Sequence, residues 1–173
     1  MEELIEILDA EGNKTGEVEP RSVVHTQGLW HKTVHIYLYR MVDSKVELLV
    51  HLRSKIKDLS PNMWDRCFGG HLKVGDSVES AVKSELQEEI GLQIEPEKLK
   101  VGRVYKREVF PNNEFMAVYY YELYSGLSEL TFNDGEVQEV KWMKVGDIRN
   151  SMKDAPELWA GTEADLAEID DLL

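Results

Sequence analysis

Glu85, Glu88 and Glu89 are the residues of this chain best spaced to do chemistry together. Carboxylates at i, i+3 and i+4 project from one side of an α-helix. The segment from Asp76 to Gly91 is punctuated as a helix: Asp76 or Ser77 can cap its start, and Gly91 can close its end. At 100° per residue with Val78 at zero, Val82, Leu86, Ile90 and Ala81 define an apolar, core-facing arc. Glu85 falls at about 340° and Glu89 at about 20°, both inside that arc, while Glu88 borders it at about 280°. A solvated acidic face, the ordinary reading of a Glu-rich helix, therefore fails for Glu85 and Glu89. Burying carboxylates without partners costs several kcal/mol each. The stripe itself offers no lysine or arginine. A divalent cation is then the expected compensation, and an all-oxygen set suits Mg²⁺ or Mn²⁺, which keep some water and also bind phosphate oxygens. Without the ion the carboxylates repel one another, so amide replacements are expected to leave metal-free stability equal or higher.

The elements that must position this helix are short and irregularly ordered. Leu4 to Leu8 reads as a strand closed by the turn-prone 9–13, and 16–18 can pair with it, giving an N-terminal hairpin over 3–19. Val34, Ile36 and Leu38 alternate with His35, Tyr37 and Tyr39, the pattern of a half-buried strand. Val46 to Leu52 is the next strand, followed by a breaker-rich loop from Ser54 to Asn62. Leu99 to Val109 and Glu114 to Leu123 read as long strands joined at 111–113, and Val137 to Met143 as another. Asp147 to Lys153 and Thr162 to Leu173 read as helices. This order predicts an α/β (α+β) fold, a mixed sheet covered by helices, in one domain over 1–173.

Gly70-His-Leu-Lys-Val-Gly-Asp76 followed by Ser84-Glu-Leu-Gln-Glu-Glu-Ile-Gly-Leu92 resembles the Nudix box, G-x5-E-x7-R-E-U-x-E-E-x-G-U with U apolar. Seven of the nine fixed positions match at the right spacing, which is hard to assemble by chance. The resemblance implies the Nudix α/β/α sandwich, with the box at 70–92 and C-terminal helices over 147–173. It also implies metal-activated hydrolysis of the diphosphate linkage in a nucleoside diphosphate derivative. It assigns Glu85, Glu88, Glu89 and Gly70 to the metal, and the catalytic carboxylates to Glu89, Glu88 and the loop residue Glu136, where family members often carry an extra carboxylate. Two box positions depart: Asp76 replaces a glutamate and Ser84 an arginine.

A wider likeness over about residues 3–149 points to the isopentenyl-diphosphate-isomerase-like branch of the family. It is carried by Leu4-Ile-Glu-Ile-Leu-Asp, by 24–38, and by Asp58-Leu-Ser-Pro-Asn-Met-Trp-Asp65 leading to Gly69-Gly70-His71. The isomerase places a cysteine directly before its Gly-His pair. Here that position is Gly69, and Cys67 lies two residues earlier. The isomerase's second acid aligns with Met116, with Glu114 two residues before it. Hydrolysis is expected over isomerisation, and Cys67 is expected to be a small packing residue. A nucleotide-binding module impaired at Asp76 and Ser84 is a further alternative. His25, His31 and His71 fall near the isomerase's histidine ligands, but the first spacing is one residue off. They are read as hydrogen-bonding histidines of loops and strand surface, with His71 nearest the site. His71, Trp30, Arg53 and Glu114 are the candidate substrate contacts.

A net charge of −13 with no basic stripe disfavours duplex nucleic acid and anionic lipid as partners. A small phosphate-bearing substrate stays compatible, because a bound cation inverts the local field. The single cysteine excludes an internal disulfide and fits a reducing compartment. No signal peptide pattern opens the chain, and no apolar run is long enough to span a bilayer. The expectation is a cytoplasmic monomer or homodimer acting on a small diphosphate.

Overall fold

The computed structural model describes residues 2–57, 59–132 and 135–170. Asp58, the Asn133-Asp134 part of the loop before Glu136, and the last three positions of the helix expected over Thr162 to Leu173 lie outside the described residues. Strands β1 (Leu4–Leu8) and β2 (Lys14–Pro20) form an antiparallel pair by themselves, with Leu4 opposite Pro20. Helix α1 (Arg21–Gln27) follows at once and stops at Gly28, whose φ of 64° makes a left-handed cap. The main sheet is built on β3 (His31–Val42). It pairs antiparallel with β4 (Lys45–Arg53) near its end. After the two-residue β5 (Trp64–Asp65) comes β6 (Phe68–His71), which pairs antiparallel with the first half of β3. Helix α2 (Val78–Ile90) carries the three glutamates. Strands β7 (Lys100–Val109) and β8 (Asn112–Glu122) form a hairpin, and β8 runs parallel to β3 over its length. Strand β9 (Val137–Lys144) adds to the outer side of β4. The chain ends with α3 (Val145–Asp154) and the single turn α4 (Ala167–Asp170). One parallel pairing among antiparallel ones makes the sheet mixed, as expected.

Both faces of that sheet are covered, which makes it the middle layer of a sandwich. Val34, Ile36 and Leu38 pack with Ala81, Val82, Leu86 and Ile90 of α2 in one buried cluster. Tyr37 and Tyr39, on the alternate face, pack with Val145, Ile148 and Met152 of α3 and with Trp159, Leu166 and Ile169 beyond it. Strand β3 is therefore buried on both sides, not half-buried as its alternation suggests. A strand of alternating aliphatic and tyrosine residues can bury both faces when a helix covers each. The C-terminal region also departs from the continuous helix expected there. A 3₁₀ turn spans Glu163–Leu166, and its start is tied by the Thr162 amide, which donates to Asp165 Oδ2 at 2.7 Å, before α4 adds one turn. Leu166 and Ile169, both fully buried, anchor this segment to the sheet.

Two glycines set the approach of β6 to its neighbours. Gly69 has φ +146°, and a Cβ added there would lie 1.9 Å from the backbone oxygen of Val34 on β3. Any side chain at this position would force the two strands apart. A Cβ on Gly70 would lie 2.6 Å from Glu85 Oε1, so only glycine lets the β6 backbone meet that carboxylate. Gly69→Ala is expected to lower stability by on the order of 3 kcal/mol, from clash and strain together. Denaturant unfolding checks this, and a midpoint unchanged from the parent would show that β6 does not pack on β3 this closely.

Candidate active site

Local sequence fixes the box helix at both ends. Ser77, not Asp76, is its N-cap and accepts from the Ser80 amide at 3.1 Å. Gly91 closes it at φ 66°, with the Leu92 amide donating to Leu86 O at 3.0 Å. A side chain at Gly91 would run into Thr131. The helix rotation follows the apolar arc. Glu89 is 4% exposed, Glu85 is half-buried, and Glu88 keeps 57% of its side chain in solvent at the rim.

These three residues line one part of a cleft of about 640 Å³. Glu136, Gly70, His71, Arg53 and Glu114 line the same cleft. So do Lys57 and Lys73, which sequence reasoning did not single out. Lys57 Nζ lies 3.6 Å from Glu89 Oε1 and makes a close ion pair with Glu136. Lys73 Nζ lies 4.0 Å from Glu88 Oε2. The α2 stripe itself lacks a cation, but the site does not, because two loops bring one each. Basic side chains from outside the helix thus share with any metal the compensation of the inward-facing glutamates. Glu85 remains the exposed weakness of that arrangement. Burial pushes its carboxyl up to about 7, Lys73 pulls it partly back, and Glu88 pushes it further up. Glu139 of β9, the next carboxylate along, is exposed and outside the cleft lining.

Trp30, a candidate substrate contact, lies outside the cleft lining. Its ring lies 5.2 Å from that of Phe115, with Lys106 Nζ 4.5 Å above it, away from the cleft lining. Arg53 faces the cleft and is held by Asp65 Oδ2 at 3.1 Å and by the Leu59 carbonyl at 3.0 Å. Cys67 is buried, its Sγ 3.8 Å from Asp65 Oδ1, and burial pushes its thiol pKa up. A protonated thiol in the wall is consistent with packing.

The histidines are where sequence reading fell furthest short. His25 from α1, His31 from the start of β3 and His71 from the end of β6 converge, with one ring nitrogen of each within 4.8 Å of the others. His25 Nε2 and His71 Nε2 are 3.1 Å apart. His71 Nδ1 lies 3.3 Å from Glu3 Oε2 of the N-terminal hairpin, and His31 Nε2 lies 3.8 Å from Glu114 Oε1. Burial lowers the pKa of His31 to about 4, so it stands neutral, and its Nε2 has no hydrogen-bond partner. Burial also raises the Glu114 carboxyl, against the pull of His35 and Arg107. These are not isolated surface histidines. A buried neutral imidazole with an unsatisfied nitrogen, beside two more imidazoles and a carboxylate, fits a transition-metal ligand set. The oxygen set of Glu85, Glu88, Glu89 and Gly70 fits a harder ion, because the missing Cβ at Gly70 leaves its backbone against the Glu85 carboxylate. The spacing of His25 and His31 held the signal for the cluster. Only the placement of α1, a helix with little apolar periodicity, made it legible.

A two-sided sheet with a glycine-anchored loop, a capped glutamate helix at one end of a cleft and cations opposite defines the class of protein. The chain matches the NUDIX domain family over residues 29–162 and belongs to it. It is 33% identical over 157 residues to Nudix hydrolase 3 of Arabidopsis thaliana, covering 86% of this chain but only 20% of that much longer protein. It is 33% identical over 151 residues to an uncharacterized Nudix hydrolase of Clostridium acetobutylicum, covering 85% of this chain and 72% of that one. An isopentenyl-diphosphate Delta-isomerase of Photorhabdus laumondii is 28% identical over 161 residues, covering 92% and 87%. In fold, a crystal structure from Deinococcus radiodurans superposes with a TM-score of 0.76 at 21% identity over 98% of both chains. The expected family and fold class are thus shown, and the isomerase-like relationship with them. Among the described residues no helix is long and apolar enough to cross a membrane.

The raised Glu85 carboxyl has a consequence for stability. Its folded pKa, about 7, exceeds its ordinary 4.5, so between those values the folded protein binds more protons than the unfolded chain. Its contribution to metal-free stability is present below about pH 4.5 and lost as pH rises through about 7. In chelator, the melting temperature of the parent is expected to fall more between pH 5.5 and 7.5 than that of Glu85→Gln. Parallel curves for the two proteins would show that Glu85 carries no such burial cost.

Proposed function

We propose that this protein is a divalent-metal-dependent hydrolase that cleaves the diphosphate linkage of a nucleoside diphosphate derivative, releasing two phosphate-bearing halves. The reading treats residues 1–173 as a single domain. The observation that carries it is the convergence of Glu85, Glu88, Glu89, Gly70 and Glu136 at one part of the cleft with Arg53, Lys57 and Lys73 beside them. A bound Mg²⁺ or Mn²⁺ would supply a Lewis acid for the diphosphate oxygens and a water of lowered pKa. Glu85, Glu88, Glu89 and the Gly70 carbonyl would hold that ion. One carboxylate of Glu88, Glu89 and Glu136 accepts the proton of the attacking water. Lys57, which pairs with Glu89 and Glu136, would be able to turn toward the diphosphate if a cation neutralised those carboxylates. Arg53 lines the approach, and its contact with Asp65 holds its guanidinium in place. His71 and Glu114 line the same cleft and would contact the substituents of the diphosphate.

Isomerisation of isopentenyl diphosphate is the second reading, favoured by the three-histidine cluster beside Glu114. Two geometric facts weigh against it. The position of the isomerase's cysteine is Gly69, whose approach to Val34 leaves no space for a Cβ, and the cysteine that is present is buried two residues earlier.

Glu89→Gln is expected to reduce kcat by roughly 10²–10⁴-fold, with Glu85→Gln and Glu88→Gln close behind. The assay is release of phosphate-bearing products from nucleoside diphosphate derivatives with Mg²⁺ or Mn²⁺. Full kcat in all three variants would refute the catalytic reading of the glutamates. Turnover is also expected to vanish in excess chelator and return with either ion. Turnover that persists in chelator would sink the metal mechanism, and conversion of isopentenyl diphosphate without phosphate release would favour the isomerase instead.

A further inference from the structure

Among the described residues, β7 and β2 each leave one edge without a partner strand. β7 ends the main sheet and pairs with β8 alone, and β2 pairs with β1 alone. About half the backbone N–H and C=O groups of such a strand point outward, where another strand can take them up. Natural edges are commonly blunted, and β7 is blunted at its start by Lys100 and by a bulge between Val101 and Val104. From Val104 to Val109 its pairing with β8 is regular, so the outer edge there is a usable template. Its side chains are not those of a wholly solvated edge. Val101 is 75% exposed and Val104 60%, with Val109 and Phe110 exposed beyond them.

Charge indicates what fits this edge. Residues 98–107 hold five cations, Lys98, Lys100, Arg103, Lys106 and Arg107, and no acid, in a chain of 33 acidic and 20 basic residues. Neighbours such as Lys106 and Arg107 leave opposite faces of the sheet, so they make the strand basic without forming a single stripe. β2 is opposite in sign over Glu17-Val18-Glu19, where Val18 is 42% exposed. The alternation of the two edges matches. With Val18 beside Val104, one of the two glutamates faces Arg103 whichever way the strands run. Opposite charges and β-branched residues across a strand pair favour it. The two edges also lie on one flank of the molecule. Lys106 Nζ donates to the Ala10 carbonyl in the turn between β1 and β2, and a Cβ on Gly12 of that turn would lie 3.1 Å from the Phe115 ring of β8. A twofold axis beside that flank lets each copy offer its β2 to the other's β7, a closed arrangement that covers both open edges.

We infer that the protein self-associates as a twofold dimer, in which β2 of one protomer pairs with β7 of its partner and the reverse. Pairing of this kind requires nothing of the chemistry in the cleft.

Sedimentation equilibrium of the full chain tests it. Twice the mass of one chain is expected at tens of micromolar. Arg103→Glu should weaken the dimer at least about tenfold, and so, separately, should Glu17→Lys combined with Glu19→Lys. Circular dichroism checks that each variant keeps its fold. If Arg103→Glu does not fold, the β2 variant alone still carries the test. Mixing the two variants decides the geometry. Their heterodimer holds one unaltered strand pair and one with its charges exchanged, so the mixture should dimerise nearly as well as the parent while neither variant does alone. A parent that is monomeric at hundreds of micromolar, a dimer untouched by either change, or a mixture no better than its components would overturn the reciprocal pairing. A monomeric parent that binds a glutamate-rich peptide would assign the β7 edge to a different acidic partner and overturn the dimer equally.

Discussion

The structure turns on a conflict on one helix: α2 must bury its apolar stripe against the sheet, and that stripe contains carboxylates. Val82, Leu86 and Ile90 are fully buried against β3, which draws Glu89 and Glu85 inward with them. The helix cannot rotate to free the glutamates without exposing those side chains, each worth about 1.5–3 kcal/mol in burial. The cost of inward-facing carboxylates is then met from outside the helix. Lys57 and Lys73 arrive on loops, and Gly70 gives up its Cβ so that backbone can approach Glu85. Lys57 pairs with two of the carboxylates, Glu89 and Glu136, and a divalent ion would complete the arrangement.

Much of the surrounding architecture follows from having to hold that helix. Strand β3 is the divider. Its aliphatic face seats α2, and its tyrosine face seats the C-terminal segment. Because β3 also pairs with β4, β6 and β8, one strand fixes the register of nearly every wall of the cleft. Chemistry divides along the same line. The oxygen-rich glutamate end belongs to the α2 side. Thr33 and His35 leave β3 on the other side, as does Tyr37, whose hydroxyl meets the buried Glu168 of α4.

The likeness to isomerases breaks at the backbone of position 69. The three-histidine cluster beside Glu114 has the composition of a second metal site. The thiol position next to it has become a glycine held against Val34, and the only cysteine sits in the packed wall. Restoring a cysteine at 69 would have to move a strand, so the difference is built into the fold and not only into one side chain.

Local sequence by itself determined the box helix, its end at Gly91, its glutamate face and most strands, because capping and periodicity act within a few residues. It also carried the family, since the motif's spacing is a property of one helix and its loop. Tertiary structure decided what no local pattern encodes. Helix α1 has a single buried residue, Val24, and exists because that residue packs with Ile5 and Ile7, so His25 could not be placed from its neighbours in sequence. Trp30, an apparent pocket aromatic, was claimed by Phe115 and Lys106. The C-terminal helix broke into a 3₁₀ turn and a short α-turn because Trp159, Leu166 and Ile169 must all reach one face of the sheet. The cations that face the glutamates lie about 30 residues (Lys57 to Glu89) and about 15 residues (Lys73 to Glu88) from them along the chain, a separation that only folding closes.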